Sequence, residues 1–343
     1  MSEPKKRNID VSAKVIADIS IGMYRTPANA LKELVSNSWD ADAKLVIINT
    51  DYPKFNKFTC SDDGEGMDVT KFIKVMSSIG GSSKRIEGGD KTRSGRLKIG
   101  KIGIGLLAVT QICREFKIIS SMGNGKKFEA VINLNQFLKD DIYKKKLNSP
   151  DEKINIGEYY IYDDLPEERD KSYTSIILEN MDDGFRKRLL EETSPDNILP
   201  PEEFKLIKED PKSFEKFIDW IRKHGKIRDL SEYNRMLWEL SLLSPVRYVE
   251  SGPVKNEIVI TDIKKRLIDA NFRVLVDGLE LKKPVLFPMD EEIKNKGDDY
   301  KIYKFSYDET KENKQLMIKK NPLKFKCYIY HQRIRINPPE YRG

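Results

Sequence analysis

The hydrophobic and polar positions of residues 31–43, LKELVSNSWDADA, repeat with the period of an α-helix. The leucines and the valine point to one side, and Glu33, Asn37 and Asp40 follow at i, i+4 and i+7 on another side. The helix therefore presents two carboxylates and a carboxamide along one polar stripe. A solvated surface helix carries similar residues, so the stripe by itself leaves the function open.

The same patterning predicts the other elements of the chain. Thr26-Pro27 indicates the start of this helix, with Thr26 as the N-cap and Pro27 in the first turn. Prolines at positions 195, 200 and 201 indicate a domain boundary. Helices are predicted at Lys71–Met76, Phe185–Glu192, Phe214–His224 and Ser231–Leu243. Strands are predicted at Leu45–Ile48 and Lys57–Ser61, strand-like runs occupy Gly157–Leu178, and Lys324–Ile336 is predicted as a strand or a strand pair. A hairpin is predicted at Phe272–Leu281 around Asp277-Gly278.

Composition limits the class of protein. A chain of 343 residues with 34% charged residues is long enough for two domains, and its polarity indicates a soluble protein. The net charge of +7 is a small difference between 62 basic and 55 acidic residues, so it permits a weak attraction to nucleotide or nucleic acid without requiring one. Cys60, Cys113 and Cys327 are widely spaced and there are two histidines, which argues against a disulfide framework or a zinc site and favours the cytoplasm. We find no apolar run of membrane-spanning length and no signal peptide at the charged N-terminus.

An acidic turn, DDGEGM at residues 62–67, follows the second predicted strand. Gly64 and Gly66 carry no side chain, so a flat ligand could lie against the main chain while Asp63 supplies an acceptor. A tight turn that requires positive φ would use the same residues. The turn alone therefore supports either interpretation.

A long loop rich in glycine, serine and charge, from Ser77 to Lys101, follows a short helix and is predicted to be mobile. It leads to Gly100, Gly103 and Gly105, which precede a helical run at Leu106–Ile112. Glycines before a helix N-terminus leave backbone N–H groups free to bind phosphate, although a plain glycine-rich turn fits equally well.

Two common phosphate motifs fail at this loop. The run from Gly95 matches the spacing of a P-loop, but Ile102 occupies the position where Ser or Thr would hold magnesium. The run Gly103–Ala108 matches a dinucleotide-binding fingerprint, but no strand leads directly into it and the acidic Asp63 lies upstream.

Taken in order, three motifs resemble those of the GHKL ATPases, a family that includes gyrase B subunits, heat-shock chaperones, sensor histidine kinases, MutL-type mismatch-repair proteins and MORC proteins. Glu33–Ala41 resembles the first box of the family, Asp63–Met67 the second, and Gly100–Gly105 the third. The resemblance covers roughly Tyr24–Leu178, and the run PANALKELV from Pro27 is nearest the MutL and MORC branches.

The resemblance implies ATP and Mg²⁺ as cofactors and assigns roles to residues. Glu33 would be the general base that activates water, and Asn37 would donate an oxygen to magnesium. Asp63 would accept from the adenine amino group, supported by Thr174, although Tyr173 stands where the family usually has glycine. Asp40 is expected to be structural, and residues 77–98 would form the ATP lid. The other residues expected to bind nucleotide are Gly66, Met67, Gly100, Lys101, Ile102, Gly103, Ile104, Gly105 and Leu106.

The resemblance also implies a fold and partners. We expect an α+β protein: an N-terminal arm (1–26), a Bergerat-type α/β sandwich (27–195), and an incomplete transducer-like α/β domain (196–343). The run YIYHQRIRI at 328–336 resembles a transducer strand, so the chain is expected to be an N-terminal fragment of a longer protein. We expect an ATP-dependent homodimer, acting as a slow ATPase clamp on a C-terminal effector or partner protein.

Several functions stay open on the sequence alone. A nucleotide-sensing binding module or a heat-shock-type chaperone with little turnover would share these motifs. A histidine kinase is less favoured, because neither His224 nor His331 lies on a helix before the ATPase motifs. The basic run Lys144–Lys146 leaves contact with nucleic acid open, and Lys282, Lys283, Lys314, Lys319 and Lys320 are all candidates to reach a γ-phosphate.

Overall fold

The structure is a computed structural model that describes residues 4–12, 26–77, 91–100, 109, 112–135, 153–190, 199–223, 230–249, 265 and 267–284, together with the backbone of four short C-terminal strands. The helices are α1 (Pro27–Asp40), α2 (Val69–Ser77), α3 (Asp183–Leu190), α4 (Pro201–Glu209), α5 (Ser213–Lys223) and α6 (Glu232–Leu243). The strands are β1 (Lys5–Ser12), β2 (Leu45–Asn49), β3 (Phe58–Asp62), β4 (Cys113–Leu134), β5 (Lys153–Met181), β6 (Arg273–Val276), β7 (Leu279–Glu280), β8 (Phe325–Cys327), β9 (Tyr330–His331), β10 (Ile334–Arg335) and β11 (Glu340–Arg342). In these ranges, every helix falls short of the length and apolar character needed to cross a bilayer.

Strands β1 to β7 form one mixed sheet in the order β1-β5-β3-β2-β6-β7, with β4 paired to β5. Strands β4 and β5 make a long antiparallel hairpin that extends from the pair Cys113–Met181 to the pair Leu134–Gly157. The sequence analysis missed β4. Helices pack on this sheet, and the predicted α+β class is confirmed.

Helix α1 is amphipathic as its sequence predicts. Leu31, Leu34 and Val35 are at most 1% exposed, whereas the stripe residues are partly exposed. The buried side of α1 packs against α6, and the apolar side chains of helices and strands form one continuous core. Burial of each such side chain contributes about 1.5–3 kcal/mol. This anchoring holds the polar stripe at a fixed place relative to the sheet.

Helix α1 begins where the sequence predicts, and its N-cap uses backbone groups instead of a side-chain hydrogen bond. The helix begins at Pro27, and the Thr26 backbone is extended, but the Thr26 side chain makes no capping hydrogen bond. The prediction of Thr26 as the N-cap residue and Pro27 in the first turn is therefore confirmed, although the Thr26 side chain takes no part in the cap. Instead, the Thr26 carbonyl accepts from the Asn29 amide at 3.1 Å, and Pro27 needs no donor partner in the first turn.

The N-terminal residues assigned to an arm include an ordered strand. Residues 5–12 pair antiparallel with β5, and Ile9 and Val11 are buried on the sheet. Strand β1 thus extends the sheet beyond β5.

The predicted hairpin around Asp277-Gly278 is confirmed as β6 and β7, and both turn residues have positive φ. Strand β6 lies parallel to β2, so this hairpin joins the same sheet as the residues before the predicted boundary. The Asp277 carboxylate also ties the hairpin to residues on both sides of the predicted boundary. It accepts from the Thr50 amide at 2.7 Å and from the Tyr233 hydroxyl at 2.7 Å. The two sides of the boundary share a sheet and a core, and the domain limits themselves stay a prediction.

The C-terminal run that resembles a transducer strand contains a strand pair. Strands β9 and β10 pair antiparallel, His331 opposite Ile334, and β8 pairs with β11. The alternative of a strand pair within Lys324–Ile336 is confirmed for residues 330–331 and 334–335.

Candidate functional site

The polar stripe of α1 presents two residues with few protein partners. The Glu33 Oε1 atom accepts from the neighbouring Lys32 Nζ at 3.0 Å, and the Glu33 side chain is 20% exposed. Within the described part of the chain, no side-chain hydrogen bond engages the Asn37 carboxamide. Glu33 and Asn37 therefore keep oxygen atoms accessible on a rigid helix. This suits Glu33 to act as a general base and Asn37 to act as a magnesium ligand.

Asp40, the third stripe residue, binds the backbone at the start of residues 100–105, which we call the glycine loop. Its Oδ1 accepts from the Ile99 amide at 2.8 Å, and its Oδ2 accepts from the Gly100 amide at 2.9 Å. A Cβ on Gly100 would lie 2.7 Å from Asp40 Oδ2 and 3.7 Å from Asn37 Oδ1. Glycine at position 100 thus lets the chain approach the stripe closely.

Residues 91–100, which we call the strap, are tied to the C-terminal end of α1. The Asp42 carboxylate accepts from the Thr92 hydroxyl at 2.5 Å and from the Ser94 amide at 2.8 Å. Burial raises the pKa of Asp42, but hydrogen bonds from Ser94 and Thr92 outweigh it and leave the pKa below its usual value. The Trp39 indole Nε1–H donates to the Leu97 carbonyl at 2.9 Å.

Residues 91–98 of the predicted loop are thus anchored by hydrogen bonds to the end of α1, and the mobility of the loop stays a prediction. Polar side chains of the α1 end replace the apolar anchors that the loop lacks. Residues 78–90, the rest of the predicted lid, lie outside the described residues.

The two adjacent aspartates at the end of β3 face opposite ways. The Asp63 Oδ1 atom accepts from the backbone amides of Lys44 at 2.7 Å and Leu45 at 2.8 Å, so it is engaged with the start of β2. The Asp62 Oδ2 atom accepts from the Ser38 hydroxyl of α1 at 2.7 Å, and Asp62 Oδ1 accepts from the Gly64 amide at 3.0 Å. Asp62 is thus the carboxylate directed at the helix that carries the stripe.

Asp62 belongs to a row of polar residues across three strands. Thr174 of β5 pairs with Asp62 in the sheet register, and Ser120 of β4 pairs with Thr174. The Ser120 and Thr174 hydroxyl oxygens are 3.0 Å apart, and Ser120 Oγ also accepts from the Met67 amide at 2.9 Å. Burial raises the pKa of Asp62 against the opposing hydrogen bonds from Ser38 and Gly64. The sequence analysis named Thr174 but missed Asp62, Ser38 and Ser120.

The glycines of the acidic turn are required by the protein's own backbone. Gly66 has φ of +65°, and a Cβ there would clash with the Ser121 carbonyl oxygen. A Cβ on Gly64 would lie 2.8 Å from the Ala41 carbonyl oxygen. The positive-φ interpretation of the turn therefore holds at Gly66, and the turn packs Met67 beside β4.

Comparison with known proteins finds a family of ATPases that is similar to the part of the chain carrying this site. Residues 24–158 match the family model described as histidine kinase-, DNA gyrase B-, and HSP90-like ATPase. This part of the chain is similar to the GHKL family. The match contains α1, the acidic turn and the glycine loop, the three motifs on which the resemblance rests.

Individual relatives match stretches of between 105 and 207 residues. A putative type II restriction enzyme, HgiDII, of Herpetosiphon aurantiacus is 33% identical over 116 residues, which cover 33% of this chain and 18% of the relative. The DNA mismatch repair protein MutL of Anaplasma phagocytophilum is 34% identical over 105 residues, covering 30% and 16%. The DNA replication and repair protein RecF of Shewanella frigidimarina is 26% identical over 207 residues, covering 54% and 56%. The chain thus spans less than two thirds of the length of each of these relatives.

Tyr173, where this chain departs from the usual GHKL glycine, lies on the strand face opposite to Thr174. Its hydroxyl donates to Glu167 Oε2 at 2.5 Å, and this bond is the main cause that lowers the pKa of Glu167 to about 2. The ring is also 5.6 Å from Lys171 Nζ. Tyr173 therefore leaves the Asp62–Thr174 pair undisturbed.

The remaining expected GHKL residues divide into two groups. Two lysines are engaged elsewhere: Lys283 Nζ donates to the Leu242 carbonyl at 2.6 Å in a buried position, and Lys282 Nζ is 3.5 Å from Glu215 Oε1. The others lie outside the described residues: Lys101, Ile102, Gly103, Ile104, Gly105, Leu106, Lys144–Lys146, Lys314, Lys319 and Lys320.

Proposed function

We propose that this chain binds Mg²⁺-ATP and hydrolyses it slowly, as an ATP-gated clamp that drives an effector or partner. The observation that carries the proposal is the position of two consecutive residues of α1. Ser38 donates to Asp62, and Asn37 lies beside Gly100 at the start of the glycine loop. The same turn of α1 therefore contacts Asp62, which is proposed to bind adenine, and Gly100, which precedes the proposed phosphate-binding residues.

The end of the proposed site that would hold the adenine base, which we call the base end, is built around Asp62. A carboxylate that is held by Ser38 and Gly64 and keeps further lone pairs can accept from the exocyclic amino group of adenine. We assign this role to Asp62 instead of Asp63, because the Asp62 carboxylate is directed at Ser38 of α1 and lies beside Thr174, whereas the Asp63 carboxylate is directed at the Lys44 and Leu45 amides. Thr174 and Ser120 hold the neighbouring row, with Met67 at its edge.

The phosphate end is built around Glu33 and Asn37. In the proposed reaction, the Glu33 carboxylate accepts a proton from the attacking water, and the Asn37 oxygen is a magnesium ligand. Oxygen donors on a rigid helix fit this hard cation, which when bound offsets the charge of the phosphates. The Gly100 amide is held by Asp40, and contacts from Lys101 to Leu106 stay predictions.

The proposed clamp and its partners are supported by the similarity of this chain to named relatives. Two relatives are named for DNA repair and one as a putative restriction enzyme. We infer an ATP-dependent homodimer that drives an effector or partner acting on DNA. ATP binding would favour the dimer, and hydrolysis at Glu33 would reset it.

The test is a Glu33→Ala variant with Mg²⁺-ATP. We expect phosphate release to fall by about 100-fold or more, because general bases contribute factors of that order, while ATP affinity stays within about threefold. Glu115→Ala, an exposed carboxylate on β4, is the matched control and should leave turnover unchanged. Normal turnover in Glu33→Ala would refute the assignment.

Turnover as a function of protein concentration tests the clamp. A rate per protomer that rises with concentration indicates that two chains form the active state. ATP binding by the wild type without phosphate release would instead support a nucleotide-sensing module.

A further inference from the structure

Arg96 joins the strap to two other parts of the molecule. Its Nη1 donates to the Ala43 carbonyl at 2.6 Å, just after α1, and its Nη2 donates to the Ala270 carbonyl at 2.7 Å, just before β6. The guanidinium lies 4.8 Å from the centre of the Trp39 ring and 5.9 Å from that of Phe272. One side chain therefore ties together three segments that are distant in sequence.

This arrangement requires arginine in particular. The Arg96 side chain is only 10% exposed, and its planar fork serves two carbonyls in different directions while its face contacts aromatic rings. The Asp42 carboxylate, 4.0 Å from Arg96 Nε, supplies the nearby negative charge. Lysine has neither the planar fork nor the stacking surface, so the two residues are not equivalent at this position.

The strap ends at the stripe. Four residues after Arg96, the amide of Gly100 is bonded to Asp40 and its backbone lies close to Asn37. Trp39 adds a second attachment, because its indole donates to the Leu97 carbonyl. The position of the Ile99 and Gly100 amides relative to Asn37 thus depends on how the strap is held at Arg96.

We propose that Arg96 is a positioning residue for the nucleotide site, which fixes the strap so that the glycine loop begins beside Asn37. The inference rests on the proposed function. Through the Ala270 carbonyl and Phe272, Arg96 also makes this geometry dependent on the segment that enters β6.

The test compares Arg96→Lys with Arg93→Lys, the same substitution at an exposed position of the strap. In the nucleotide-free proteins, we expect amide hydrogen exchange at Ile99 and Gly100 to be faster in Arg96→Lys and unchanged in Arg93→Lys. Mg²⁺-ATP affinity, measured by calorimetry, should weaken about tenfold in Arg96→Lys, within the range for residues one contact removed from a ligand.

A second variant keeps the test decisive if Arg96→Lys fails to fold by circular dichroism. Arg96→Gln keeps a side-chain amide that can donate to one of the two carbonyls but loses the other donor and the charge, so we expect faster exchange at Ile99 and Gly100 and weaker ATP affinity.

The outcomes separate the two proposals. Faster exchange with unchanged ATP affinity would reduce Arg96 to a structural residue and overturn the inference, as would unchanged exchange. If the wild type binds no ATP, the proposed function fails and this inference fails with it. If the wild type binds ATP and Arg96→Lys binds it equally well, only this inference is lost.

Discussion

The two ends of the proposed nucleotide site differ in how far the protein satisfies its own polar groups. At the base end, Asp62 accepts from Ser38 and Gly64, and Ser120 connects Thr174 with the Met67 amide. At the phosphate end, Glu33 has the adjacent Lys32 as its partner, and no described residue engages the Asn37 side chain.

This difference indicates which part of recognition is prepared in advance. A buried, fully connected polar network is rigid, so the base end has its geometry before any ligand arrives. The oxygens of Glu33 and Asn37 stay available for water, magnesium or phosphate. Substitutions at the base end should therefore alter stability and affinity, whereas those at the phosphate end should alter turnover.

The largest effect is expected at Gly66, on which the base end depends. Gly66→Ala adds a Cβ that clashes with the Ser121 carbonyl in a backbone conformation already unfavourable for alanine. We expect the free energy of unfolding to fall by about 3 kcal/mol, from overpacking and backbone strain together. Denaturant unfolding of the purified variant measures it.

Gly95→Ala is the matched control for Gly66. Gly95 also has positive φ, of +86°, but a Cβ there meets no atom within 4 Å. Its cost should be about 1 kcal/mol, from the backbone conformation alone. Equal losses at the two glycines would show that close packing against β4 is not what fixes the turn.

The second-largest effect is expected on ATP affinity, which should distinguish Asp62 from Asp63. Asp62→Asn removes the charge that is proposed to accept from adenine, and we expect ATP affinity to weaken about 10- to 100-fold, the usual range for a hydrogen bond to a charged group. Asp63→Asn keeps an oxygen for the β2 amides, so affinity should change by less than about threefold. Calorimetric titration of both variants decides, and the opposite order would return the role to Asp63.

The aspartate assignment shows what the sequence could have revealed. Residues of a strand alternate between faces, so Phe58, Cys60 and Asp62 share the buried face if β3 extends to Asp62. The predicted strand ends one residue earlier, at Ser61, and therefore leaves both aspartates in the turn. The two-residue period places Asp62, and not Asp63, on the same face as Phe58 and Cys60.

Other features depend on contacts between distant residues. The stripe of α1 and the Asp277-Gly278 hairpin follow from local period and turn chemistry, and both were predicted correctly. The ordering of the strap requires Trp39, Asp40 and Asp42 to meet residues more than 50 positions away. Neither this pairing nor the place of β6 beside β2 is encoded in any short pattern.

The smallest effect concerns pH and tests whether the base end works through charge. Burial raises the pKa of Asp62, so this carboxyl is protonated at higher pH in the folded protein than in the unfolded chain. Its contribution to stability is therefore present at low pH and is lost as pH rises through the folded pKa. Asp62→Asn should remove that loss.

Ionised Asp62 should favour ATP binding, so the affinity of the wild type should fall as the pH decreases toward that pKa. Calorimetric titrations at several pH values measure this change against Asp62→Asn, whose amide does not titrate in this range. Protonation of ATP itself affects both proteins equally, so it cancels in the ratio of their affinities. A ratio that is constant with pH would mean that Asp62 acts as a neutral acceptor and that the raised pKa has no part in recognition.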